Sequence, residues 1–200
     1  MPIARHTSPL LTAFTIVLIA CMAQLVAAPA AHADDAQISA RSSSTWGADF
    51  EIDPTAYVLG GHSLHVGITR GSWRLDLGNF AMDVPEALHG NDGMTAGFAG
   101  YGAKLQWFPL HPQSGLFVGV EAAVARVTVV NTDNQQSDRF MQINAGAQAG
   151  WRWMLPRDFF ATLWLGVGRA FAPDEVAVGG KTFKNNALTL FPALHIGKKF

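Results

Sequence analysis

FMQINAGAQAGWRWM, residues 140–154, is the stretch whose reading decides the fold. Every second residue gives Met141, Ile143, Ala145, Ala147, Ala149, Trp151 and Trp153 on one face. The other face carries Gln142, Asn144, Gly146, Gln148, Gly150 and Arg152. A helix would mix these two sets, whereas an extended strand separates them completely. An alternating run of about ten residues is what a barrel strand needs to cross a membrane obliquely, one face on lipid and one on the lumen.

The pattern recurs on both sides of this stretch. Tyr101, Ala103, Leu105 and Trp107 oppose Gly100, Gly102, Lys104 and Gln106; Leu116, Val118, Val120, Ala122 and Val124 oppose Phe117, Gly119, Glu121 and Ala123. Phe159, Ala161, Leu163, Leu165 and Val167 oppose Phe160, Thr162, Trp164, Gly166 and Gly168. Trp73, Leu75 and Leu77 oppose Arg74, Asp76 and Gly78. The last strand sets Leu188, Leu190, Leu194 and Ile196 against Thr189, Phe191, Ala193, His195 and Gly197. Ala56 to Thr69 reads as a further strand with Val58, Leu64, Val66 and Ile68 on its apolar face, where His62 fits only with a bulge. Ser44 to Ile52 completes the set, Trp46, Ala48, Phe50 and Ile52 facing away from Gly47, Asp49 and Glu51. Eight strands result, an even number as bacterial membrane barrels require.

The connections alternate in length. Ile68 to Arg74, Pro109 to Gly115 and Leu155 to Asp158 read as tight turns, and Val84 to Met94, Asn131 to Arg139 and Ala172 to Asn186 as long loops. With a periplasmic C-terminus every long loop lies outside, and only the connection near Asp53-Pro54-Thr55 is expected to be a short external one. Aromatic residues gather at strand ends: Trp73, Trp107, Phe117, Trp151, Trp153, Phe159 and Phe200 at the proposed periplasmic rim, Tyr57, Phe140 and Phe171 at the other. Two aromatic girdles are expected at the two membrane interfaces. A soluble β-sandwich would also alternate. The glycines on the polar faces, the rim aromatics and the terminal Phe200 favour the barrel.

Ahead of the strands, Arg5 and His6 precede an apolar run from Leu10 to Leu25, and Ala31-His32-Ala33 ends the small-residue stretch. This is the layout of a secretory signal peptide over residues 1–33, with a mature start at Asp34 and a periplasmic segment over 34–43 before the barrel of 44–200. Leu18-Ile19-Ala20-Cys21 offers a lipoprotein reading, which the apolar stretch that follows it disfavours. Cys21 is the single cysteine of the 200 residues, so no intramolecular disulfide forms. A net charge of −1 gives no general attraction for nucleic acid. No later segment has about eighteen consecutive apolar residues, so the barrel is the expected route through a membrane.

The C-terminal stretch Leu188-Thr189-Leu190-Phe191-Pro192-Ala193-Leu194-His195-Ile196-Gly197-Lys198-Lys199-Phe200 resembles the final strand of outer-membrane proteins. Phe200, with Ile196 and Leu194 behind it, matches the signal that the barrel-assembly machinery reads in such proteins; Lys198 departs from it, standing where an apolar residue is common. In length, strand count and loop asymmetry the chain is similar to the small OmpA-like and OmpW-like barrels. That resemblance implies an all-β, closed antiparallel eight-stranded transmembrane barrel in the outer membrane, in contact with its lipid and lipopolysaccharide. It implies no activity.

The inner faces collect Asp49, Glu51, Asp76 and Glu121 with Arg74, Lys104 and Arg152. Eight strands leave room for side chains or one small ligand, so a paired-charge interior is expected before an open channel. Glu121, on the strand before it, is the expected partner of Arg152. Ser63 and His65 share an inner face, as a serine hydrolase would need. Outer-membrane lipid A deacylases also use a His and a Ser, but their local motif is absent. Asp76 or Glu121 could orient His65, and nothing in the sequence places either there. The loop Asp83 to Gly93 has His89 and carboxylates without the spacing of an EF-hand or zinc site, so neither metal nor cofactor is expected. The sequence thus favours a non-enzymatic barrel, structural or a narrow conduit or binder for a small or hydrophobic molecule. The alternatives are a lipid-modifying enzyme at Ser63 and His65, and a surface-interaction protein acting through its loops.

Overall fold

The computed structural model describes residues 45–200; the predicted signal peptide, the lipoprotein alternative at Cys21 and the segment 34–43 lie outside these residues. The strands are β1 (Trp46–Ile52), β2 (His62–Arg70), β3 (Trp73–Val84), β4 (Met94–Trp107), β5 (Gly115–Asn131), β6 (Ser137–Met154), β7 (Phe159–Phe171), β8 (Glu175–Val178), β9 (Lys181–Lys184) and β10 (Leu188–Lys199). Eight of them close an antiparallel barrel in the order β1-β10-β7-β6-β5-β4-β3-β2, while β8 and β9 form a separate hairpin.

The barrel is apolar outside and polar inside. On β5, Leu116, Val118, Val120 and Val124 are exposed on the outer surface, and Phe117 between them is fully buried in the lumen. The outer apolar run Leu116–Val124 extends about 30 Å along the strand at roughly 3.3 Å per residue. Tilted by about 40°, it covers about 23 Å of membrane normal, close to the apolar band of a transmembrane barrel. A soluble sandwich would place these faces the other way round. This is a transmembrane β-barrel.

Above that band the alternation inverts. Arg126 faces outward between the inward-facing Ala125 and Val127, and Val129 is wholly buried. Strands that continue past the hydrocarbon meet water on their outer face, so apolar side chains turn into the lumen. There Met94, Ala96, Val127 and Val129 pack against Val176, Val178 and Phe183 of the β8–β9 hairpin, which covers the loop end of the barrel.

The loops differ from the sequence reading in four places. The strand expected over Ala56 to Thr69 starts only at His62, because Asp53 caps a short helix α1 (Pro54–Val58) by accepting from Thr55 N at 2.8 Å, with Pro54 in its first turn. Proline at a helix start and an acidic cap favour that conformation. The first loop-side connection is therefore not the short one, and Val58 is no strand residue. His62 faces outward in an unbulged strand, its ring nitrogen 2.7 Å from Asn79 Oδ1. Strand β5 reaches Asn131 and β6 begins at Ser137, which shortens the loop expected over 131–139. Between Val84 and Met94 a second helix, α2 (Glu86–His89), occupies the loop.

Candidate functional site: the lumen

Each barrel strand sends one parity of residue inward, and the seven charged residues singled out in the sequence all face the lumen. Six of them form one cluster. The Arg74 guanidinium is buried against Asp49 Oδ1 at 2.6 Å, Asp76 Oδ2 at 2.9 Å and Glu51 Oε2 at 3.4 Å, and donates to Gln106 Oε1 at 3.0 Å. Lys104 Nζ lies 3.2 Å from Asp76 Oδ1. Arg152 lies 3.4 Å from Glu51 Oε2 and 3.6 Å from Asp49 Oδ2, with Nε donating to Thr162 Oγ1 at 3.1 Å. Three carboxylates thus meet three fixed cations, and the charges cancel. A buried charge is tolerable only when paired in this way.

Glu121 stands apart. It makes no ion pair among the described residues, and it is not the partner of Arg152 that the strand order suggested. The adjacent strands β5 and β6 place Glu121 opposite Gly146, whereas Gly115 lies opposite Arg152. The side chain of Arg152 instead crosses the lumen to β1. Two aromatic residues assigned to the rims are inside as well: Phe117 packs on Phe108 with ring centroids 5.3 Å apart, and Phe140 on Phe183 at 6.4 Å. Both have inward parity, which outweighs their nearness to a strand end. Phe108 and Phe160 cover the Arg152 guanidinium from 5.2 and 4.1 Å. Trp73 and Trp107 stack at the turn end, 6.3 Å apart on the outer surface.

On the loop side of the charge cluster the lumen widens into a cavity of about 210 Å³. Its walls include Phe80, Met82, Phe98, Trp164 and Phe191, and its polar lining includes Ser63, His65, Lys104, Glu121, Gln142, Asn144 and His195. The cavity exists partly because the inward faces carry small residues, Gly102, Ala123 and Ala125 among them.

Ser63 and His65 lie on this wall, and His65 is backed by a third residue that the sequence offered only as one of two candidates. Ser63 Oγ is 3.0 Å from His65 Nε2, and His65 Nδ1 is 2.8 Å from Asp76 Oδ1. On a flat strand the two side chains would only project side by side; here the imidazole leans back so that its far nitrogen reaches the hydroxyl. The strand pairing sets Gly78 opposite His65, and Asp76, two residues before it, reaches the ring diagonally. A second histidine, His195, was not singled out by the sequence; its Nδ1 is 2.7 Å from Glu51 Oε1, and its ring lies 4.9 Å from that of His65, tilted by 42°. Its place on the inner face of the last strand was the available signal.

Glu51, His65 and Asp76 each bring one ligand atom within 4.8 Å of the others. Arg74 and Lys104 already hold both carboxylates, so a divalent ion would have to displace two fixed positive charges. In the loop expected over 83–93, His89 is committed to Asn91, accepting from its backbone N–H at 3.1 Å through Nδ1.

No protein-family model matches the chain, and no curated protein matches it either. Among solved structures, the N-terminal β-barrel domain of Pseudomonas aeruginosa OprF aligns with a TM-score of 0.44 at 16% identity, over 77% of this chain and 97% of that one. The β domain of the Bordetella autotransporter BrkA aligns with a TM-score of 0.33 at 13% identity, over 78% of this chain and 97% of that one.

Proposed function

We propose that this protein is an outer-membrane barrel that holds one small amphipathic molecule in a closed lumen and does not conduct. One observation carries the reading. The side chains of Asp49, Glu51, Arg74, Asp76, Lys104 and Arg152 meet in mid-lumen, yet each is 8% exposed or less. A water-filled channel would wet them. The space left above them has apolar walls and a polar floor, which suits a molecule with a hydrocarbon body and a polar head. Residues of the loop-end cluster, Phe98 among them, continue from the cavity toward the β8–β9 hairpin, so entry would pass beneath that hairpin.

Placement in an outer membrane is supported by the strand architecture and by the likeness of β10 and Phe200 to an assembly-signal strand. Arg126, Arg139 and Arg169, exposed on the outside of β5, β6 and β7, suit the anionic headgroups of a lipopolysaccharide leaflet.

The test uses the folded protein in two settings. In planar bilayers it should give no steady current. In nanodiscs it should bind tritiated octanoate saturably, one molecule per barrel, and Ala123→Trp should remove that binding. A large stable conductance, or only non-saturable uptake into lipid, would overturn the reading.

A further inference from the structure

We propose that Ser63, His65 and Asp76 form a nucleophilic triad that hydrolyses a short acyl ester inside the barrel. This rests on the cavity being a site for a molecule with an apolar body and a polar head. The arrangement has the three parts such chemistry needs: a hydroxyl on a base, and a carboxylate on the far nitrogen of that base. The distances are 3.0 Å from Ser63 Oγ to His65 Nε2 and 2.8 Å from His65 Nδ1 to Asp76 Oδ1. A packed lumen can also contain a satisfied Ser–His–Asp chain that does nothing. Two features separate this one from that case. Ser63 and His65 line the cavity, so a bound carbonyl can reach the hydroxyl. Asp76 is itself clamped by Arg74 at 2.9 Å and Lys104 at 3.2 Å, so the group that orients the imidazole is held before any substrate arrives.

The step balances with water as the co-reactant. Ser63 Oγ attacks the ester carbon while its proton passes to His65 Nε2. The tetrahedral intermediate collapses by breaking the bond to the alkoxy oxygen, which leaves as the alcohol with that proton. Water, deprotonated by the now neutral His65, attacks the acyl-serine; the acid departs and Ser63 regains its proton. Barrel strands have their backbone N–H groups committed to pairing, so the developing oxyanion must be met by a side chain. Lys104, lining the same cavity, brings the positive charge. Ser63 and His65 are the catalytic residues, and Asp76 is a positioning residue.

A butyl fluorophosphonate tests this on the full folded chain in nanodiscs, because its phosphorus takes a serine oxygen and releases fluoride. Intact mass should show one adduct, mapped by peptide analysis to Ser63. Ser63→Ala should abolish it, and His65→Gln should slow it about a hundredfold or more, the usual share of a general base. Asp76→Glu should keep labelling that Asp76→Asn loses, each judged on protein with the gel mobility of the folded barrel. No adduct at Ser63 in wild-type protein that binds octanoate saturably overturns the triad and leaves the cavity reading intact. Absence of both adduct and octanoate binding removes both. An adduct that forms equally fast in His65→Gln also overturns the triad.

Discussion

Arg152 reaches Glu51 across the lumen, its Nη2 3.4 Å from Oε2, although β6 and β1 are separated in the barrel by β7 and β10. The two residues are 101 positions apart in the chain. This pair spans the barrel, whereas Lys104 and Asp76 face each other directly on the neighbouring strands β4 and β3.

The pair predicts the outcome of a double-mutant cycle. Arg152→Met leaves Glu51 and Asp49 short of a cation and should cost about 3–5 kcal/mol of stability in detergent. Adding Glu51→Gln should recover at least about 1 kcal/mol of that loss. Adding Glu121→Gln should be additive within about 0.5 kcal/mol. Chemical unfolding of the wild type, the three single variants and the two double variants measures both, and coupling to Glu121 in place of Glu51 would contradict the lumen geometry.

Gly78 makes room for the His65 ring, and a methyl group there would overlap the imidazole. Gly78→Ala should therefore cost about 1–3 kcal/mol, the usual penalty of overpacking. It should also separate His65 from Ser63 and Asp76, abolishing fluorophosphonate labelling while the barrel remains folded on gels. Unchanged labelling would show that His65 has another way to reach Ser63.

The loop end should loosen in acid through His89. Burial against Phe183, 5.5 Å away, holds this imidazole below the usual histidine range near 6.5, and its Nδ1 accepts from Asn91. Asn91 in turn accepts from Lys184 N at 2.7 Å and so anchors β9. Since the folded-state value is depressed, the stabilisation is complete above the unfolded value and lost as pH falls through the folded one. Amide exchange of Asn91 and Lys184, corrected for its intrinsic rate, should accelerate between pH 7 and pH 5, and His89→Gln should flatten that dependence. Protection that rises in acid would refute the assignment.

The turn between β6 and β7 stores strain that one substitution can release. Arg157 and Asp158 both adopt φ of +63°, a left-handed conformation that costs a residue with a Cβ roughly 1–2 kcal/mol. Asp158→Gly should raise stability by about 1 kcal/mol, part of the relief being offset by the entropy of the unfolded glycine. Thermal unfolding in detergent checks it; a loss of stability would mean that the Asp158 side chain contributes more than its backbone costs.

Inside and outside were legible in the sequence, strand by strand, because a period of two is a local property. FMQINAGAQAGWRWM carries its own division into lipid and lumen faces whatever it pairs with. Ser63 and His65 were legible for the same reason, as two residues of one parity. Glu175 to Lys184 also held a readable signal, two short alternating runs around Gly179-Gly180, whose positive φ values of 57° and 85° make a two-residue hairpin turn. Partnership was not legible. Closing the sheet sets which strands stand opposite each other and how far their rows are staggered, and that geometry alone joined Arg152 to Glu51 and left Glu121 unpaired. The same pairing between β2 and β3, by setting Gly78 opposite His65, brought Asp76 rather than Glu121 to its imidazole. The inversion of faces above the membrane band was likewise decided by the tertiary structure. A strand cannot encode where its hydrocarbon surroundings end until its neighbours fix its depth.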